Sequence, residues 1–357
     1  MRISLMKNTI RFGALAAVSA LALAACSSAP EETSESAAPT TSAAAPIDYK
    51  ACMVSDAGGF DDKSFNQAGF EGLQSVANDT GVEVATAESK DEADYATNIT
   101  AMVSANCDLI ITVGFLLADA TAAAATATPD TDFAIIDFAF DPAIPNVKGL
   151  TFETDQAAFL AGYAAAASSK TGTVATFGGM NIPTVTIFMD GFLAGVNYFN
   201  TDTGGAVKVL GWDGKNGSFT DDFDDQTKGQ NLAQGFIDQG ADVIMPVAGP
   251  VGLGAAAAAK AAGNVWIVGV DSDWTLTTDY GDIILTSVMK QMGPAVYDVV
   301  KESATGAGFT NENYVGTLEN AGVGLGTSAA VVPPEALAKI DELKAGIIDG
   351  SISVKLS

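Results

Sequence analysis

Short apolar runs recur along the chain, separated by longer Ala-rich stretches in which apolar residues return every three or four positions. The runs at 49–54, 82–87, 109–113, 133–138 and 147–152 have the length of buried strands, and the stretches at 64–80, 95–105 and 117–126 have helical spacing. Strand and helix alternating in this way argue for a parallel sheet covered by helices on both faces. A fresh series begins after residue 171. Strands at 174–177, 206–212, 243–247 and 265–270 and helices at 186–199, 226–239 and 251–262 predict a second sheet of the same type. The run 283–288 reads as a strand returning toward the first lobe, ahead of a helix at 289–305, and residues past 313 complete one sheet or the other. The fold class is therefore α/β, with two doubly wound parallel-sheet lobes.

The pattern fails before residue 47. Arg2, Lys7 and Arg11 precede or open an apolar stretch at 12–25 that is too short for a stable membrane span, the layout of an export signal. Leu23-Ala24-Ala25-Cys26 resembles the bacterial lipobox. That resemblance implies a lipoprotein signal peptide at 1–25, acylation of Cys26, and a lipid anchor holding the chain on the extracytoplasmic face of the cell membrane. Residues 26–46 are mostly Ser, Thr, Ala, Pro and Glu, cannot bury a core, and are expected to form a disordered tether. The remainder exceeds one ordinary core. It is expected to divide into an N-terminal lobe of 47–170 plus part of 283–325, a C-terminal lobe of 171–282, and a C-terminal segment 326–357 of open assignment.

Composition narrows the chemistry. The 357 residues include 17 basic and 43 acidic side chains, for a net charge of -26, and loss of 1–25 would remove three cations and no acid. Such a surface repels nucleic-acid phosphates and anionic headgroups, which excludes electrostatic binding to either. There is no histidine, so Ser-His-Asp and Cys-His catalysis and His-liganded zinc are excluded. No cofactor, metal or catalytic activity is expected, and a monomer is the default for a tethered chain. Besides Cys26 only Cys52 and Cys107 remain. The strand order puts them on adjacent strands, where an exported protein either pairs them or buries two free thiols.

Candidate chemistry gathers where strands end. Residues 55–67, SDAGGFDDKSFNQ, follow the first strand and combine acids, paired glycines, aromatics and an amide. The glycine spacing fits neither a dinucleotide fingerprint nor a phosphate loop. Asp56, Asp61 and Asp62 are similar in outline to the calcium-binding aspartates of nucleoside hydrolases, but Gly58 stands where the middle acid belongs. A second loop, Gly217-Ser218-Phe219, follows the 206–212 run and echoes the first. Phe65 and Phe219 are candidates for two plates around a flat ring, unless both rings fill the core. Asp271 and Asp273 follow a buried strand, at the end where open parallel sheets bind ligands, and a carboxylate there suits a vicinal diol. Pro246-Val247-Ala248-Gly249 ends the preceding strand in the same manner. Lys290 is one of few cations in an acidic chain.

Taken in order, Asp56-x-Gly58-x-Phe60-x-Asp62-x-Ser64-Phe65-Asn66, Thr112-Val113-Gly114-Phe115, Ala157-Ala158-Phe159-Leu160-Ala161-Gly162, Gly217-Ser218-Phe219, Pro246-Val247-Ala248-Gly249 and Gly269-Val270-Asp271-Ser272-Asp273 resemble the basic membrane protein family of PnrA-like nucleoside-binding lipoproteins. The resemblance runs from about residue 48 to 325. It implies a type I periplasmic-binding-protein fold, a nucleoside held between two lobes, purine preferred, and service to the permease of an ABC importer. Carried over by residue, Phe65 and Phe219 would stack on the base, Asp56 and Asn66 would line its edge, and Asp271 and Lys290 would contact the sugar. Gly249 would permit close approach, and Gly114, Phe115, Asp137 and Asp273 complete the expected set. The chain departs from the family pattern at Trp274, where Gln is expected, and at Phe223 and the acids of 221–225, which enlarge the second loop.

Overall fold

The computed structural model describes residues 47–306 and 308–356; the signal peptide, Cys26 and the tether expected at 26–46 lie outside the described residues. The chain opens with β1 (Lys50–Val54), α1 (Phe65–Thr80), β2 (Glu83–Ala87), α2 (Glu92–Ser104), β3 (Leu109–Val113), α3 (Ala118–Ala127), β4 (Asp132–Ile136) and β5 (Val147–Phe152). A second run comprises α4 (Thr154–Ser168), β6 (Thr173–Gly178), α5 (Pro183–Thr203), β7 (Lys208–Leu210), α6 (Gln226–Asp238), β8 (Val243–Val247) and α7 (Val251–Ala262). It continues through β9 (Trp266–Asp271), α8 (Trp274–Thr277) and β10 (Ile284–Lys290), and the chain closes with α9 (Met292–Thr305), β11 (Tyr314–Gly316), β12 (Val323–Leu325) and α10 (Pro334–Ile348).

Two six-stranded sheets result, ordered β11-β5-β4-β3-β1-β2 and β12-β10-β9-β8-β6-β7. Every pairing is parallel except β10 with β12. The central strands β3 and β8 are buried along their whole length, as the uninterrupted apolar runs require of strands covered on both faces, whereas edge strand β2 alternates toward solvent. Both sheets reverse their winding at one point, between β1 and β3 in the first and between β6 and β8 in the second. Crevices at the carboxyl ends of strands beside such a switch are where ligands bind in open α/β sheets.

Several elements differ from the sequence reading. The strand expected at 283–288 to return to the first lobe instead pairs in parallel with β9 in the second sheet. The crossing comes one element later: α9 packs on α1, and β11 joins β5. Gly72 and Gly293 make that helix contact possible, because a Cβ at Gly72 would overlap the Gly293 backbone. Of the strand expected at 206–212 only Lys208–Leu210 forms, since Gly211 turns the chain at φ 82°. Helix α4, within the stretch assigned to the N-terminal lobe, packs on α5, β10 and β12. α10 packs on α4 in turn, so most of 326–357 lies against the same layer. Cys52 of β1 and Cys107, two residues before β3, are joined by a disulfide with Cα atoms 6.0 Å apart.

Candidate ligand-binding site

A cavity lies where the carboxyl ends of both sheets meet. From the first sheet come Asp56 after β1, Gly114 and Phe115 after β3, and Asp137 after β4; from the second come Ala248 and Gly249 after β8, Asp271 at the end of β9, and Lys290 at the end of β10. The start of α1 contributes Phe65 and Asn66, and the start of α5 contributes Thr184, Val185 and Phe188. Asp137 and Asp271 occupy matching places on the two sheets, and both adopt left-handed backbone angles, φ 68° and 69°. Aspartate tolerates the left-handed region better than most side chains, and here it turns both carboxylates off the strand ends.

Lys290 ties the two sheets together. Its Nζ donates to Asp137 Oδ2 at 2.7 Å and lies 3.6 Å from Asp271 Oδ1, with all three side chains nearly inaccessible. The ammonium also sits 4.7 Å from the centre of the Phe65 ring and 5.5 Å from that of Phe188, within cation-π range. Burial pushes the Asp271 carboxyl up to about 6, against the lowering effect of Lys290 and with Asp137 adding to the rise. Ser64 Oγ donates to Asp271 Oδ2 at 3.3 Å, a second link between the lobes.

At the other side of the cavity Asn66 Nδ2 donates to Asp56 Oδ1 at 2.7 Å and to Asp62 Oδ2 at 3.2 Å. Enclosure by protein pushes the Asp56 carboxyl up to about 8; the Asn66 hydrogen bond opposes this, while Asp62, Asp137 and Asp271 reinforce it. Gly114 makes room for that carboxylate: at φ 113°, a Cβ there would lie 2.8 Å from Asp56 Oδ2. Asn66 Oδ1 is buried with no partner, a free acceptor beside the cavity. The site thus has an aromatic and aliphatic body, a carboxyl-amide pair at one place and a carboxylate-ammonium-carboxylate row at another, groups able to stack on a flat ring and to accept from hydroxyls.

A model of the family described as ABC transporter substrate-binding protein PnrA-like matches residues 49–357. The chain belongs to this family. Among similar PnrA-like proteins, an ABC transporter nucleoside-binding protein of Lactococcus lactis is 33% identical, covering 98% of this chain and 99% of its own. Basic membrane protein A of Borreliella burgdorferi is 32% identical, over 85% of this chain and 87% of its own. A solute-binding protein of an ABC transporter system from Aeropyrum pernix superposes with a TM-score of 0.77 at 26% identity, covering 85% of this chain and 92% of its own. The two-lobed periplasmic-binding-protein fold expected from the sequence is therefore that of this PnrA-like chain.

The cavity brings together Asp56, Phe65, Asn66, Gly114, Phe115, Asp137, Gly249, Asp271 and Lys290. Phe219 and Asp273 are not among its lining residues. Phe219 bridges to Gly178 and packs edge-on against Trp212, with ring centres 6.1 Å apart. Asp273 caps α8 through Thr275 and accepts from both N and Oγ1 of Thr327, so its oxygens are already engaged. The wall expected of Phe219 is supplied by Phe223, four residues on in the enlarged loop that departs from the PnrA-like pattern, and by Phe188 on α5. Phe223 carried a visible signal, a phenylalanine between acids in a loop after a strand; Phe188 carried none, because its apolar neighbours make it read as helix core. Trp274, the other departure, is fully buried and donates Nε1 to Val270 O. In the loop 55–67, Asp62 accepts from N of Ser64, Asn66 and Gln67 and caps α1, and Phe60 packs on Phe70. Asp61 is exposed.

Proposed function

We propose that the protein captures a nucleoside between its lobes and delivers it to the permease of an ABC importer. The observation that carries the reading is the cavity's division of labour: Phe65, Phe115, Phe188 and Phe223 form an aromatic body, and Asp137, Lys290 and Asp271 form a polar row across it. The base stacks among the rings, where each contact with an aromatic contributes about 1–3 kcal/mol, and the ribose diol donates to the carboxylates. Asp56 and Asn66 meet the base edge, and the purine preference is the one that the family resemblance implies. Nothing is catalysed; the lobes exclude water and hold the ligand for transfer. The protein acts as a monomer held to the membrane by acylated Cys26.

Isothermal titration with a panel of purine and pyrimidine nucleosides tests this, alongside mass spectrometry of small molecules that copurify. Submillimolar binding with purines tightest is expected. A panel that gives neither heat nor thermal stabilisation defeats the ligand assignment.

A further inference from the structure

One end of the cavity holds a carboxyl that no cation neutralises. Asp56 is half-buried rather than sealed. Its Oδ1 accepts from Asn66 Nδ2 at 2.7 Å, while Oδ2 has no hydrogen-bond partner among the described residues and lies against Gly114, where the Phe65 ring also approaches. The groups facing it are acidic or neutral: Asp62 on the same loop, Asn66 on α1, Tyr95 on α2, Asp137 after β4 and Asp271 at the end of β9. Lys290, at the end of β10, gives its charge to Asp137 at 2.7 Å and lies 3.6 Å from Asp271, and no cation among the described residues pairs with Asp56. Enclosure, reinforced by the three neighbouring carboxylates, raises Asp56 to about 8, so at neutral pH it carries a proton. Asn66 has no hydrogen left to give a ligand, because its amide already donates to Asp56 and Asp62.

We propose that Asp56 reads the ring nitrogen of the base by exchanging roles with its proton: with the proton on, Oδ2 donates to a nitrogen that bears no hydrogen, as in adenosine, and with it off, the carboxylate accepts from a ring N–H, as in inosine. The inference rests on the nucleoside reading above, which sets Asp56 at the base edge. One residue then serves both kinds of base at different proton cost. Adenosine meets the carboxyl in the form that the free protein already holds. Inosine keeps its own ring proton, so the Asp56 proton must leave for the solvent; otherwise two donors would face each other and neither would be satisfied. The ribose contacts, Asp271 included, are common to both ligands, and their response to pH cancels from the ratio of the two affinities.

Isothermal titration of the protein with adenosine and inosine, from pH 6.0 to 7.5 and in buffers of different ionisation heat, provides the test. Neither base changes its own proton state in this window. The affinity for inosine relative to adenosine should rise about tenfold per pH unit, and inosine binding at pH 7 should release about one proton more than adenosine binding does. Asp56→Asn, whose amide does not titrate, should flatten the ratio and abolish the difference in proton release; the comparison of two ligands on the parent protein decides the matter if that variant does not fold. Where the site takes only pyrimidines, cytidine and uridine pose the same contrast at their ring N3. A ratio independent of pH, equal proton release, or binding by only one member of the pair overturns the selector and leaves the nucleoside site standing. No binding by any nucleoside overturns both.

Discussion

Replacing Lys290 with Met keeps most of the side-chain volume and removes the one charge that Asp137 and Asp271 share. All three groups are almost fully shielded, with side-chain exposures of 3% for Lys290 and 9% for each carboxylate. Stripping a buried ion pair of one partner costs about 3–5 kcal/mol, because the remaining charge is left uncompensated. With an unfolding entropy of about 2.1 cal/mol/K per residue, that loss lowers the melting temperature by roughly 5–8 °C for a body of this size. The pH dependence separates a charge effect from poor packing. Burial already raises Asp271 to about 6 with Lys290 present, and removing Lys290 takes away the largest influence that lowers it. A carboxyl raised in the folded state retains a proton that the unfolded chain has lost, so its contribution to stability is whole at low pH and declines as pH rises through the folded value. The deficit of Lys290→Met should accordingly be small near pH 4 and grow up to pH 8, and adding Asp137→Asn should restore part of it. Scanning calorimetry from pH 4 to 8 is the assay. A deficit of constant size across that range, or no deficit at all, refutes the assignment of Lys290 as the shared counter-ion of two buried carboxylates.

Three further outcomes are expected. Phe223→Ala should weaken nucleoside binding about 5- to 150-fold, the range of one base-aromatic stack, whereas Phe219→Ala should lower thermal stability through its lost packing on Trp212 and leave the dissociation constant nearly unchanged; titration of both variants checks this, and the reverse ranking would falsify the revised clamp. Gly114→Ala combines an unfavourable φ of 113° with a Cβ placed against Asp56, so titration should show at least about tenfold weaker binding with the far-ultraviolet circular dichroism unaltered. Asp56 is pushed from 3.8 to about 8, chiefly by burial, so the folded chain holds a proton there that the unfolded chain gives up. Asp56→Asn should therefore melt progressively higher than the parent as pH rises from 4 to 8 and keep that lead above 8, and an offset independent of pH speaks against a protonated Asp56.

The parallel sheets were legible because buried strands such as β3 and β8 are uninterrupted apolar runs and the helices between them carry amphipathic spacing. Helix α4 escaped for the opposite reason. It is covered on nearly every side, from Thr154 to Ser168, so it has no polar stripe for periodicity to detect. The partner sheet of β10 was illegible because a buried strand states that it is covered and not by which neighbour. Among the cavity-lining residues, Gly249, Asp271 and Lys290 were legible from their places at the ends of apolar runs, and Asp56 and Asp137 from the family resemblance. Phe219 misled because a sequence motif gives order along a loop while the loop's path decides which ring turns inward. In this loop the isolated bridge to Gly178 and the contact with Trp212 hold Phe219 aside, and Phe223 takes the cavity wall.

The distribution of the last strands has a practical meaning. The chain passes between the sheets after β5, after β10 and again between β11 and β12. Neither lobe is therefore a contiguous stretch of polypeptide, and a single proteolytic nick at any one crossing leaves the halves joined by the other two. A fragment meant to isolate the first lobe would have to lose β11, and one meant to isolate the second would have to carry β11 along, whereas an inserted reporter domain at one crossing would leave both sheets complete. Three connections also restrain the two lobes against twist and splay more than one would, the difference between a door on several hinges and a ball on a string.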